Sequence, residues 1–217
     1  MNLVELHDVG VAYDGYEALR HADLEIASDD FLGVIGPNGG GKTTLVKAIL
    51  GTVAHTGRID YAPELYRGKE RLIGYMPQQS DFDRAFPISV EEVVLSGLQG
   101  RRGFGKRYTG EDRKKASELL EKAGIAEAAR HPIGEVSGGQ MQRALLCRAV
   151  IAEPRLLILD EPANFVDNRF ENELYNLLRE LNEQMAIVMV SHDVGTITSV
   201  VKEIVCVNRQ VHRHRSN

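Results

Sequence analysis

The chain has 217 residues and a formal net charge of −5. That length fits one domain, with two lobes allowed, and buries enough surface to need no covalent staple. The acidic balance excludes a nucleic-acid binder that works through bulk basicity.

Cys147 and Cys206 stand alone, without CxxC or Cys/His spacing, and read as reduced core thiols of a cytosolic protein. The N-terminus carries Glu5 and Asp8 and lacks the apolar run of a signal peptide. The longest apolar runs, 156–159 and 186–190, fall far short of the roughly 18 residues a membrane helix needs. If the protein works at a membrane, another subunit must do the crossing.

In chain order, residues 3–9 and 22–26 alternate with period two and predict short strands. Residues 31–35 form a near-continuous apolar run, as in a buried strand. A glycine-rich loop follows, then a helix over 43–50 that stops near Gly51. Residues 73–76 predict another strand. Ser89 and Glu92 form a capping box ahead of Val93, Val94 and Leu95, with Gly97 as the stop. Thr109, followed by Glu111 and Asp112, starts a helix that runs to Gly124. Between these helices lies a basic, glycine-broken loop over 101–107, read as solvated. A further helix spans 139–152 and ends at Pro154. Then come strand 156–160, helix 168–184, strand 186–191, a short helix from Val194 and strand 204–208. Strands alternating with helices predict an α/β fold with a parallel sheet covered on its faces. The helical stretch 80–152 reads as an inserted lobe.

Gly36, Pro37, Asn38, Gly39, Gly40, Gly41, Lys42 and Thr43 match the P-loop pattern at every required position. Glycines let backbone N–H groups turn inward around phosphate oxygens, and the following helix aims its positive end at them. Lys42 supplies a point charge at the outer phosphates, and Thr43 a hydroxyl for Mg²⁺. The motif fixes the ligand class, a nucleoside triphosphate, and leaves the function open.

The apolar strand 156–160 ends in Asp160 and Glu161. A strand stopping beside the P-loop would set Asp160 near the Mg²⁺ shell and Glu161 at the water in line with the γ-phosphate. Such a pair points to water as the acceptor and thus to hydrolysis.

Val136, Ser137, Gly138, Gly139 and Gln140, upstream of Asp160 and Glu161, resemble the signature of the ATP-binding cassette (ABC) family. The order of motifs resembles an ABC ATPase along nearly the whole chain. The resemblance implies a P-loop NTPase fold: a single domain, 1–217, with a mostly parallel core sheet, an N-terminal antiparallel β subdomain and an inserted α-helical lobe. The nucleotide-binding core with its β subdomain would be 1–79 and 153–217, and the lobe 80–152. The cofactors implied are ATP and Mg²⁺, with Thr44 adjoining the P-loop threonine. Tyr13 resembles the aromatic that stacks on adenine. Gln78, after Pro77, resembles the glutamine that touches Mg²⁺ and the attacking water, with Gln79 as the competing assignment. Asp167 resembles the aspartate at the subunit junction, and His192 the histidine at the γ-phosphate. In relatives Ser137, Gly138, Gly139 and Gln140 cover ATP held by the opposite copy. ATP would then close two copies and hydrolysis would reopen them. Three positions depart from the commonest pattern: Gly40 for alanine, which would loosen the loop through backbone entropy, Val136 for leucine and Ala163 for threonine.

Residues 78–83, 86–90 and 93–94 are similar to ATPases of zinc, manganese and iron importers, and 206–214 looks like that group too. The implied partners are a second copy, an integral membrane permease docked along 78–94 and, indirectly, an extracytoplasmic substrate-binding protein, with no nucleic acid. The implied location is cytoplasmic, peripheral on the inner face of the membrane. His212 and His214 read as solvated tail residues. A soluble ABC-type ATPase for assembly or remodelling is the competing reading, and a nucleotide-gated module with negligible turnover the third.

Overall fold

The computed structural model describes residues 1–68, 70–78, 87–102, 107–162 and 168–215. The chain opens with a long hairpin of β1 (Asn2–Tyr13) and β2 (Tyr16–Ala27). Asp14 and Gly15 join them, both with positive φ (47° and 84°), which matches the twist of paired strands. The sequence pattern predicts two short strands here, and the structure extends each to 12 residues. Register shifts near Val9 and Val11 break the alternation, so periodicity alone stops too early.

Next come β3 (Phe31–Ile35), α1 (Lys42–Leu50) and β4 (Thr56–Tyr61), which pairs antiparallel with β1. The sequence reading misses β4 because its Thr-Gly-Arg-Ile-Asp-Tyr string is an edge strand with little apolar alternation. It also misses the two-residue strands β5 (Tyr66–Arg67) and β6 (Glu70–Arg71), which are too short to carry a period. β7 (Ile73–Met76) follows as expected.

The helical stretch contains α2 (Val90–Ser96), α3 (Gln99–Arg102), α4 (Gly110–Lys122) and α5 (Gly138–Val150). Capping boxes start α2, α4 and α5, from Ser89 with Glu92, Thr109 with Asp112, and Ser137 with Gln140. The basic stretch read as a loop contributes Arg101 and Arg102 to α3, while 103–106 lie outside the described residues.

The remaining elements are β8 (Leu156–Asp160), α6 (Asn168–Asn182), β9 (Ala186–Val190), α7 (Val194–Thr198), β10 (Glu203–Asn208) and β11 (Gln210–Arg215). β11 corrects the expectation of a loose tail. His212 and His214 are exposed but sit in a strand paired antiparallel with β10. Arg213 anchors it, donating to Asp30 at 2.9 Å and pairing with Glu203.

The main sheet has the order β11-β10-β3-β9-β8-β7, with every neighbouring pair parallel except β10 and β11. β2, β1 and β4 form a separate antiparallel sheet. The core is therefore a mostly parallel α/β sheet with an antiparallel N-terminal sheet.

β8 and β9 divide the apolar interior. Leu157, Leu159, Ile187 and Met189 join a cluster with Val93, Leu120 and Leu145 of the helices. Leu156, Ile158, Val188 and Val190 face the other way, towards α1 and the antiparallel sheet. Both faces are dry, which is why these strands read as unbroken apolar runs. In such sheets ligands meet the carboxyl ends of the strands. Here β3, β8 and β9 lie side by side, so the segments leaving them share one edge.

Candidate functional site

The loop after β3 is shaped by glycines that could not be otherwise. A Cβ on Gly36 (φ 154°) would lie 2.0 Å from the Val207 carbonyl oxygen, and one on Gly41 (φ 100°) 2.5 Å from that of Ala18. Gly39 (φ 74°) has nothing within 4 Å of that position and leaves the cradle open. Gly40 is held on both sides: its N–H donates to Pro37 O at 3.0 Å, and its carbonyl accepts from Arg209 N at 2.8 Å. A Cβ there would meet Pro37 O and Val207 O, each at 2.9 Å. The glycine permits close seating against β10.

Lys42 is buried, and its Nζ donates to Gly36 O at 2.8 Å and Pro37 O at 3.2 Å. The ammonium is thereby aimed along the inside of the loop. An open cavity of about 670 Å³ lies over it, within the usual range for a small-molecule site. Its walls include Pro37, Asn38, Gly39, Gly41, Lys42, Thr43 and Thr44 from the loop and the start of α1. Gln78, Glu161 and His192 complete the lining together with Tyr13, Tyr16 and Ala18.

Topology brings the polar side together. Asp160 ends β8, Gln78 follows β7, and His192 follows β9. Gln78 Nε2 donates to Glu161 Oε2 at 2.7 Å, and His192 Nδ1 lies 3.8 Å from Glu161 Oε1. Glu161 adopts φ 54°, a left-handed conformation that costs a non-glycine residue of order 1 kcal/mol or more. Its N–H donates to Val190 O at 3.0 Å, so the bend is locked to β9.

Asp160 is buried, and burial pushes its carboxyl above the ordinary carboxylate range. The neighbouring Glu161 pushes the same way, while Lys42, Lys47 and a hydrogen bond with Thr43 oppose the shift. A hard divalent cation prefers oxygen donors, and a carboxylate crowded by a second one beside a threonine hydroxyl is that chemistry. The donor set therefore fits Mg²⁺. Among the described residues no group of three or more His, Cys, Asp and Glu side chains forms a dedicated metal cage.

Ser137 caps α5, accepting from Gln140 N at 3.2 Å, and Gly138 and Gly139 are the first two residues of the helix. Gln140 Oε1 accepts in return from Ser137 N at 3.0 Å. None of these four residues lines the cavity over the P-loop. Asp167, Gln79 and Ala163 lie outside the described residues.

Sequence reasoning missed Tyr16 and Ala18. Tyr16 could have been found from its spacing: it pairs with Tyr13 directly across the Asp14-Gly15 turn, so an aromatic at one strand end implies a partner at the other.

The chain is similar to known ATP-binding proteins along nearly its whole length. The chain is 40% identical over 212 residues to the zinc import ATP-binding protein ZnuC of Pseudomonas putida, covering 96% of this chain and 76% of that one. It is 36% identical over 217 residues to a probable metal transport system ATP-binding protein of Thermotoga maritima, covering 99% and 85%. Among solved structures, a dimeric bacterial ABC transporter cassette superposes with a TM-score of 0.83 at 26% identity, covering 98% of each chain. The ABC transporter family model matches residues 19–164, well over half of the sequence, and the chain belongs to that family as one of its ATPases.

Proposed function

We propose that the chain is the ATP-hydrolysing subunit of an importer for a divalent metal ion, with zinc as the first candidate. The names of the similar ZnuC and metal transport ATP-binding proteins support the cargo. The observation that carries the mechanism is the Glu161 carboxylate, set between Gln78 and His192 at the mouth of the P-loop cavity.

In this reading the P-loop N–H groups and Lys42 bind the phosphates, and Tyr13 stacks on the base. Thr43, Asp160 and Gln78 hold Mg²⁺, which supplies charge neutralisation at the outer phosphates. Glu161 accepts a proton from the attacking water, Gln78 fixes the carboxylate's orientation, and His192 donates to the terminal phosphoryl oxygens. These groups act at one strand edge, so their spacing is set by sheet register and costs no reorganisation at the moment of reaction.

Ser137, Gly138, Gly139 and Gln140 do not line their own chain's cavity. Their exposed helix start suits the γ-phosphate of ATP held by a second copy, with Asp167 at the junction. Two copies close on ATP and reopen after hydrolysis. The lobe 80–152 carries that motion to a membrane permease, which receives cargo from an extracytoplasmic binding protein. The subunit would sit on the cytoplasmic face through the permease; no helix among the described residues is long and apolar enough to cross a membrane. A role without a membrane partner is the competing reading.

Co-purification from membranes with a polytopic protein is the expected outcome. Loss of any such partner from a functional preparation would overturn the importer assignment. The Glu161→Gln variant should form an ATP-dependent dimer, alone or with the permease, measured by light scattering. If it stays a monomer in both settings, the two-copy closure is wrong.

A further inference from the structure

We propose that Tyr16 forms a second aromatic wall of the base subsite and that Arg209 is the residue that positions it. The inference rests on the reading of the P-loop cavity as an ATP site.

Arg209 is the single residue turning β10 into β11, between the paired Asn208 and Gln210. It adopts φ 57°, a conformation unfavourable for a long side chain. Its backbone is fixed on two sides. The N–H donates to Gly40 O of the P-loop at 2.8 Å, and the carbonyl accepts from Arg20 N of β2 at 2.8 Å. The hairpin tip therefore ties the phosphate loop to the strand that carries Tyr16.

From that fixed point the guanidinium carbon lies 4.9 Å from the centroid of the Tyr16 ring. This is within cation–π range. Tyr16 lines the nucleotide cavity, and Arg209 does not. The cation thus covers the ring from outside and holds an otherwise half-exposed aromatic in place. Tyr13 and Tyr16 are 41% and 49% exposed, so neither ring is committed to the apolar core, and both are available to a flat ligand. Aromatic rings stack on any base through its π-face. A ring already immobilised on its outer face loses less freedom when it does so. One residue therefore sets both ends of the ligand site: its backbone seats the P-loop, and its side chain seats the base wall.

The test separates these two roles with two ligands, ATP and inorganic tripolyphosphate, titrated calorimetrically into the full chain without Mg²⁺. Arg209→Asn keeps a residue that tolerates the left-handed turn and removes the cation. It should weaken ATP about threefold while leaving tripolyphosphate within about twofold, because only the base contact is touched. Tyr16→Leu should weaken ATP about tenfold with the same indifference to tripolyphosphate. Arg209→Lys and Tyr16→Phe should retain ATP affinity near wild type. Equal loss of ATP and tripolyphosphate in Arg209→Asn would reduce the pair to a support of the P-loop and overturn the proposal. So would unchanged ATP affinity in both Arg209→Asn and Tyr16→Leu. Failure of the wild type to bind either ligand would instead remove the ATP-site reading beneath it.

Discussion

Gln78 and Glu161 are 83 positions apart in sequence and joined by a 2.7 Å hydrogen bond from amide nitrogen to carboxylate. The contact exists because β7 and β8 are parallel neighbours in register, Met76 opposite Leu159, so the residues just beyond them emerge together. It orients a carboxylate on a strained backbone at the one edge where the P-loop also opens.

Glu161→Gln is expected to lower the turnover number about 10²–10⁴-fold, the usual worth of a positioned general base. ATP affinity should stay near wild type, because the amide keeps the size of the side chain. Phosphate release and equilibrium ATP binding, measured on one preparation, check the split.

The glycines of the loop should rank by clearance. Gly36→Ala brings a Cβ to 2.0 Å from Val207 O at positive φ, whereas Gly40→Ala brings one only to 2.9 Å. Gly36→Ala should abolish ATP binding and cost at least about 1 kcal/mol of stability. Gly40→Ala should do less of both. Urea midpoints and ATP titrations give the order, and a reversed order would contradict the seating of the loop on β10.

The capping box of α2 predicts a pH dependence. The Ser89 backbone N–H, then its hydroxyl, hold the Glu92 carboxyl below its ordinary range. A lowered native value adds stability above the unfolded carboxyl's pKa, and this is lost as pH falls through the native one. Glu92→Ala should therefore be less stable than wild type at pH 7, with the gap closing in acid. Ser89→Ala, which removes the cap itself, should cost about 1 kcal/mol at neutral pH. Denaturant melts at neutral and acidic pH check both.

The two thiols should differ sharply. Burial pushes the Cys147 thiol up to about 12, whereas Cys206 is only partly buried on β10. A maleimide at pH 7.5 should label Cys206 first and reach Cys147 only after denaturation, since the thiolate is the reactive species. Rapid labelling of Cys147 in the native protein would show that the packing of α5 against α4 is looser than it is here.

The strands and helices that were legible in the sequence are those where local physics and global placement agree. Residues 31–35, 156–160 and 186–190 are dry on both faces and read as apolar runs. Ser89 and Thr109 announce helix starts through side-chain chemistry that operates within four residues, whereas the cap at Ser137 emerged only in the structure. β4 and β11 escaped because edge strands carry polar strings such as Arg-Ile-Asp and His-Arg-His, whose order comes from a neighbour rather than from a pattern. Gln78, Asp160, Glu161 and His192 were legible as motif members, whereas Arg209 belongs to no contiguous string and Tyr16 was signalled only by its place opposite Tyr13 across the turn, which went unread.

By itself the sequence determined the chemical inventory: a glycine loop that can wrap phosphate, a lysine and threonine after it, two acids closing an apolar strand, and a Ser-Gly-Gly segment at a helix start. Those are local facts, written in residues that touch their chain neighbours. Only the tertiary structure decided which groups converge, because strand order and register bring β3, β7, β8 and β9 to one edge. It also decided which groups stay apart, leaving the signature helix off its own chain's cavity while the turn at Arg209 reaches back to the P-loop. Distance in space depends on how sheets pair and pack, and a linear string encodes that only through the whole fold.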